Sequence, residues 1–95
     1  MSDFDERMAG LRARFRARAA AERTQIAAAL AAGDLPELRR LAHGLSGSGG
    51  VFGFPEVSAG AEAVEIAVDE RKEPGELAIL CERLLLRLEE AAQRA

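Results

Sequence analysis

The fold is decided by residues 33–53, which read GDLPELRRLAHGLSGSGGVFG. Gly33 is placed to end one helix in the left-handed conformation that glycine adopts cheaply. Asp34 then follows as an N-cap, with Glu37 three residues later in the pattern of a capping box. After this junction the apolar residues recur at helical spacing on one face, at Leu38, Leu41, Ala42 and Leu45. The stretch therefore predicts a helix junction, and then an amphipathic helix that enters a glycine-rich segment.

The residues before this stretch predict one long helix. Their apolar side chains share a stripe made of Leu11, Phe15, Ala19, Ile26 and Leu30. Phe4 and Met8 continue the stripe backward, which leaves open a short separate lead-in helix at the N-terminus.

The residues after it predict two more helices. Pro55 is suited to begin the third, and Pro74-Gly75 interrupts the pattern before the fourth. No segment alternates apolar and polar residues with the period of two that a strand requires. We therefore predict an all-α fold, an up-down-up-down antiparallel four-helix bundle, with residues 1–95 as a single domain. The apolar positions of these two helices are Val57, Ala61, Val64 and Val68, then Leu77, Leu80, Cys81, Leu84 and Leu88.

Composition excludes several classes of function. The 95 residues contain four Phe and no Trp or Tyr, which argues against a stacking surface for single-stranded nucleic acid. A net charge of −3 also argues against a nucleic-acid partner. One cysteine and one histidine, Cys81 and His43, exclude a disulfide framework and a multi-histidine metal centre. No apolar run approaches the ~20 residues of a membrane span, and no signal-peptide pattern opens the chain, so we expect a cytoplasmic protein without a membrane partner.

His43 is the residue that points to chemistry. It lies about 140° around the helix from Leu38, nearly opposite the apolar stripe, and is therefore expected to project into solvent. Arg39 and Arg40 precede it by one turn, and their guanidinium groups are suited to bind a phosphate or a carboxylate.

Two glycines continue the same side of the helix, Gly47 one turn after His43 and Gly50 beyond it. Glycine in an exposed helix costs about 1 kcal/mol relative to alanine, so its presence in an alanine-rich chain calls for a reason. One reason is clearance, because another protein can approach the imidazole closely where no side chains intervene.

Together these residues resemble the histidine-containing phosphotransfer (HPt) domain family. In that family a His is followed by Leu two residues on, Lys three on and Gly four on. A second Gly comes ten on, and a hydrophobic-Glu pair comes near the end of the following helix. The motif spans about residues 35–68, and the four-helix pattern extends the likeness to nearly the whole chain. This chain matches at His43, Leu45, Gly47, Gly53 and Val64-Glu65.

The resemblance implies a phosphoryl relay. The imidazole of His43 would accept a phosphoryl group from an aspartyl phosphate on a response-regulator receiver domain, free or within a hybrid histidine kinase, and pass it to another receiver. The receiver would bring Mg²⁺ and a lysine, so the resemblance implies no cofactor, no metal and no kinase activity in this chain. A hydrogen bond from the non-attacking nitrogen would orient the ring. The sequence does not identify its partner.

Ser46 stands where the family commonly has lysine. Three explanations stay open: Arg39 or Arg40 substitutes for the lysine, the receiver supplies all the positive charge, or transfer is impaired. We favour the substitution, because arginine keeps its charge and suits phosphate geometry. The alternative function is an adaptor that docks a receiver without carrying phosphate, and a bundle that binds a partner helix is a further one.

Three further predictions concern the surface of the protein. Val51, Phe52 and Phe54 are candidates for a docking patch, although core packing is favoured for all three. One acidic face is most simply solvated, with Glu65 as a possible support for the active helix. Each helix shows one apolar face and no second one, which favours a monomer. The acidic face consists of Glu62, Glu65, Asp69 and Glu70.

Overall fold

The computed structural model describes residues 2–94, and 88% of these residues are helical. No strand occurs within that range, so the predicted all-α fold is confirmed. The four helices are α1 (Asp3–Ala32), α2 (Leu35–Val51), α3 (Pro55–Asp69) and α4 (Pro74–Gln93).

Each helix packs against its neighbours in the chain, and α4 closes the bundle against α1. For the diagonal pairs, α1 with α3 and α2 with α4, no two Cα atoms within residues 2–94 come within 8 Å of each other. Short turns join consecutive helices, so neighbours run antiparallel, as the sequence predicts. His43 and the helix α3 that packs beside it therefore form one face of the bundle.

The junction between α1 and α2 forms as predicted. Gly33 adopts φ 66°, and its N–H donates to the carbonyl of Leu30 at 3.1 Å. The side chain of Asp34 accepts a hydrogen bond from the Glu37 N–H at 3.2 Å. The capping box is only half formed, because the Asp34 N–H donates to the carbonyl of Ala29 instead of to the Glu37 carboxylate.

Each of the other two turns contains a residue with positive φ. Helix α2 continues through the glycine-rich segment to Val51, and the chain then reverses at Gly53, where φ is 86°. Helix α3 ends at Asp69, before the predicted break, and the turn includes Arg71 at φ 55°. Pro74 begins α4, since proline is accommodated in the first turn of a helix.

The lead-in helix that the sequence left open does not exist as a separate element. Helix α1 is continuous from its N-cap Ser2, whose side chain accepts from the Asp5 N–H at 3.2 Å. The fully buried positions of α1 begin only at Phe15. We call residues 3–14 the N-terminal overhang.

The core contains an aromatic cluster at the end of the bundle where α2 turns into α3. The ring of Phe15 stacks on Phe54 with centroids 4.7 Å apart and lies 6.2 Å from Phe52. Core packing is thus confirmed for Phe54, while Phe52 is half-buried. For Val51 the prediction is wrong, because α2 extends to this residue and turns its side chain outward, where it is 67% exposed.

The remaining core is aliphatic, and Cys81 belongs to it. Within residues 2–94, no helix combines the length and the apolar character needed to cross a bilayer. The largest fully buried aliphatic side chains are Ile26, Leu38, Leu45, Val57, Val64, Leu84 and Leu88.

Candidate functional site

His43 lies in the middle of α2 and projects from the bundle. Its side chain is 71% exposed, in agreement with its predicted place opposite the apolar stripe. Leu41, Ala42 and Leu45 on either side of it in sequence are buried, which fixes the rotation of α2 about its axis. The imidazole is therefore held at the surface by a well-packed helix.

Glu65 of α3 orients the imidazole. Its Oε2 lies 3.0 Å from Nδ1 of His43, and its side chain is only 16% exposed. An ionised carboxylate can only accept a hydrogen bond, so Nδ1 carries the proton in this pair and donates it to Oε2. In the neutral imidazole, the lone pair then resides on Nε2, the ring nitrogen on the other side from Glu65.

Arg39 fixes the position of Glu65. One turn before His43 on α2, it places Nη2 3.2 Å from the same Oε2 of Glu65. Arg39 also donates a bidentate pair of hydrogen bonds to the Asp69 carboxylate, from Nε to Oδ1 at 2.7 Å and from Nη2 to Oδ2 at 3.1 Å. These hydrogen bonds lower the pKa of Asp69 and raise the pKa of Arg39. Four side chains from two helices thus form one polar cluster, which we call the His43 cluster: His43, Glu65, Arg39 and Asp69.

The structure corrects the reading of the acidic face of α3. Glu65 and Asp69 are engaged with α2, whereas Glu62 and Glu70 are exposed, as a solvated face would be. A sequence signal for this existed, because Val64 is a core position of α3 and the next residue necessarily lies at the edge of the buried face. That signal does not tell which of the neighbouring helices the edge faces.

Arg40 does not join the cluster. Its guanidinium pairs with the Glu37 carboxylate, which raises the pKa of Arg40 and lowers the pKa of Glu37. Arg39 and Arg40 are thus both paired with carboxylates, so neither presents an uncommitted cation to the imidazole. Ser46 is half-buried, and its carbonyl oxygen accepts a hydrogen bond from the Ser58 hydroxyl at 2.6 Å.

The three glycines near the end of α2 have different surroundings. A Cβ at Gly47 would meet nothing within 4 Å, so the surface one turn after His43 is open, as predicted. A Cβ at Gly50 would contact the Ser58 hydroxyl at 3.5 Å, so this glycine lies beside α3. Gly49, which sequence reasoning missed, is the closest approach: a Cβ there would lie 3.0 Å from the Ser58 nitrogen.

The arrangement offers one nucleophilic nitrogen at an open surface, with a carboxylate on the opposite ring nitrogen. Within residues 2–94, no three side chains of His, Cys, Asp or Glu are grouped in a way that could hold a metal ion. An exposed nucleophilic nitrogen such as Nε2 of His43 can accept an electrophilic group and release it again.

Comparison with protein families gives one match. A family model described as the Hpt domain matches residues 10–94, which include all four helices except the first turns of α1. Neither the curated proteins nor the solved structures gave a match.

Proposed function

Because the chain belongs to the Hpt domain family, a family of phosphocarrier modules in phosphorelays, we propose that His43 is the residue that carries the phosphoryl group. The single observation that supports this most strongly is the hydrogen bond between Nδ1 and Glu65. It leaves the exposed Nε2 as the nitrogen with a free lone pair. We propose response-regulator receiver domains, free or part of a hybrid histidine kinase, as donor and acceptor.

The proposed step is an in-line displacement at phosphorus. The Nε2 lone pair of His43 forms a bond to the phosphorus of a receiver's aspartyl phosphate, and the bond from phosphorus to the acyl oxygen breaks. The aspartate leaves as a carboxylate, and the reverse reaction at a second receiver returns the phosphoryl group. Such transfer depends chiefly on positioning and on stabilisation of charge. Glu65 serves both, since it fixes the ring plane and faces the positive charge that the imidazole gains.

The positive charge near the phosphoryl group is proposed to come from the partner. Arg39 contacts the same Glu65 oxygen as Nδ1 and is also engaged by Asp69. Arg40 is paired with Glu37, and Ser46 carries no charge. Of the three explanations for the missing lysine, this geometry supports a supply of charge by the receiver, through its Mg²⁺ and lysine, over substitution by an arginine of this chain.

The test is transfer from a phosphorylated receiver domain to the full chain. We expect an acid-labile, alkali-stable phosphoryl group at His43 that is absent in His43→Gln. Glu65→Gln should transfer more slowly, because it keeps a hydrogen-bond acceptor but removes the charge. The matched control is Glu62→Gln, which makes the same change at an exposed residue of the same helix and should transfer at the normal rate.

Two outcomes would contradict the proposal. Phosphoryl incorporation that persists in His43→Gln would place the acceptor elsewhere. Receivers that bind without any transfer would support the alternative function, an adaptor that docks receivers without carrying phosphate. In that case Ser46→Lys would show whether the missing cation was the cause.

A further inference from the structure

Within the described residues, no other helix covers the apolar stripe of the N-terminal overhang. The bundle ends at the level of Phe15, whose ring stacks on that of Phe54. Arg94, which follows α4, lies over the Phe54 ring, with its Cζ 5.1 Å from the ring centroid. The stripe continues outward from there by three turns, about 18 Å. Phe4 is 63% exposed, and Met8 and Leu11 are only half-buried. The prediction of a monomer rested on the absence of an uncovered apolar face. The overhang has such a face.

The charges that flank this stripe are segregated along the helix. Taking Phe4 as the reference direction, Asp5 and Arg12 lie about 100° and 80° to one side. Asp3 and Arg14 lie about 100° and 80° to the other. One flank thus carries Asp5 at its outer end and Arg12 two turns inward, and the other carries Asp3 at its outer end, with Arg7 one turn and Arg14 three turns inward. Within residues 2–94, none of these five side chains has an ion-pair partner.

This segregation makes the overhang complementary to a second copy of itself. If two overhangs pair antiparallel about a two-fold axis, each flank meets the same flank of the other copy with its charges reversed in order. One register sets Asp5 opposite Arg12 and at the same time Asp3 opposite Arg14. Because the axis is two-fold, each pair forms twice.

The same register also places the apolar side chains correctly. It centres the axis just after Met8, so the two Met8 side chains meet there and each Phe4 packs beside Leu11 of the other copy. Gly10 lies opposite Arg7 of the other copy. A Cβ added at Gly10 would meet nothing within 4 Å, so this position leaves room for the arginine side chain. Each overhang is also long enough to reach the end of the other bundle at Phe15, where the stripe becomes buried.

We propose that the N-terminal overhang is a homodimerisation surface, in which two copies of this chain pair antiparallel through Phe4, Met8 and Leu11. Three helical turns from each copy form a contact smaller than the ~1,200 Å² of a stable interface, so the dimer dissociates on dilution. The His43 cluster lies on α2 and α3, which the pairing does not use.

The first test is sedimentation velocity of the full chain from roughly 10 µM to 1 mM, a range suited to a weak interface. We expect the mean mass to rise with concentration toward that of a dimer. In Phe4→Asp the mean mass should stay at the monomer value at every concentration. Circular dichroism should show unchanged helix content for this variant, because the Phe4 side chain is exposed. The control is Ile79→Asp, which changes an apolar residue of α4 that is 51% exposed and should leave the association intact.

A charge exchange tests the orientation. Asp3→Arg and Arg14→Asp should each weaken the association, and the double variant should restore it, because the pair is re-formed with opposite sign. A chain that stays monomeric over the whole concentration range overturns the proposal, as does an association that Phe4→Asp leaves unchanged. Failure of the double variant to restore association would overturn the antiparallel pairing.

Discussion

Replacement of Gly47 by alanine should separate stability from function. Gly47 lies inside α2, and an added Cβ meets nothing within 4 Å. Exchange of glycine for alanine in a helix interior is worth about 0.8–1 kcal/mol, here without an opposing steric cost. For a domain of this size, that free energy raises Tm by about 4–8 °C per kcal/mol. Phosphoryl transfer should nevertheless slow, because the new methyl group stands one turn from His43 and about 40° around the helix from it, in the space a receiver must enter.

Two other glycines of α2 are matched controls. Gly44 is equally open, so Gly44→Ala should raise Tm by a similar amount. It lies about 100° around the helix from His43, and its replacement should leave transfer nearly unchanged. Gly49→Ala should lower stability, since its Cβ would lie 3.0 Å from the Ser58 nitrogen and 3.2 Å from the Phe54 oxygen, both backbone atoms. Overpacking of this kind costs about 1–3 kcal/mol, and here it meets two backbone atoms, so we expect the cost to exceed the gain in helix propensity.

The assay is thermal unfolding followed by circular dichroism, together with initial rates of transfer from a phosphorylated receiver. The reasoning about open space is refuted if Gly47→Ala unfolds at a lower temperature than the natural chain. The reasoning about receiver approach is refuted if Gly47→Ala and Gly44→Ala transfer equally fast.

Two further predictions concern titration. The hydrogen bonds from Arg39 lower the pKa of Asp69 in the folded protein. The ion pair therefore stabilises the fold fully at pH values above the ordinary carboxyl pKa of about 3.9, and this stabilisation is lost as the pH falls through the lowered pKa of the folded state. Asp69→Asn should therefore lower Tm near pH 6 and reduce its dependence on pH between about 2 and 5; parallel profiles of the two proteins would contradict this. Burial raises the pKa of the Cys81 thiol to about 11, from an ordinary value near 9, so at pH 8 its thiolate is about a hundredfold scarcer than that of an exposed cysteine. Alkylation followed by mass spectrometry should be slow in the folded chain and fast in denaturant, and rapid native labelling would show that the core opens.

The helices could be predicted from the sequence because their signals are local. Gly33 and Asp34 define a junction by conformational preference and capping, and the structure has the junction at those residues. The position of His43 opposite the apolar stripe follows from helical geometry alone. The end of α2 was harder to place, because the glycine-rich segment has no single residue that marks a stop; in the structure Gly49 and Gly50 are helical and lie against Ser58 of α3.

The His43 cluster could be predicted only in part, because it depends on how two helices are rotated against each other. Arg39 was predicted to help bind the phosphoryl group, and the sequence did not show that its guanidinium pairs with Glu65 and Asp69 of α3. Glu65 was distinguished from the other acids only by the Val64-Glu65 pair, which does not tell which neighbouring helix its side chain faces. Its role follows from the pairing of α2 with α3, which a single sequence does not specify. The uncovered overhang could not be predicted either. Its apolar stripe has the same pattern as a core-facing one, and only the shorter length of α4 shows that it extends beyond the bundle.

The two helices that carry the His43 cluster are consecutive in the chain, and this has a consequence for the order of folding. The contact between His43 and Glu65 spans 22 residues, and that between Arg39 and Asp69 spans 30. Closure of α1 onto α4 joins segments at opposite ends of the chain. The entropy lost on loop closure grows with loop length, so we expect the α2–α3 hairpin to form before α1 closes onto α4. In a mutational analysis of the folding transition state, the φ-values, which report how far native contacts have formed there, should be higher at Val57 and Leu45 than at Ile26 and Leu88. The geometry around the imidazole would then form early, ahead of the step that completes the core.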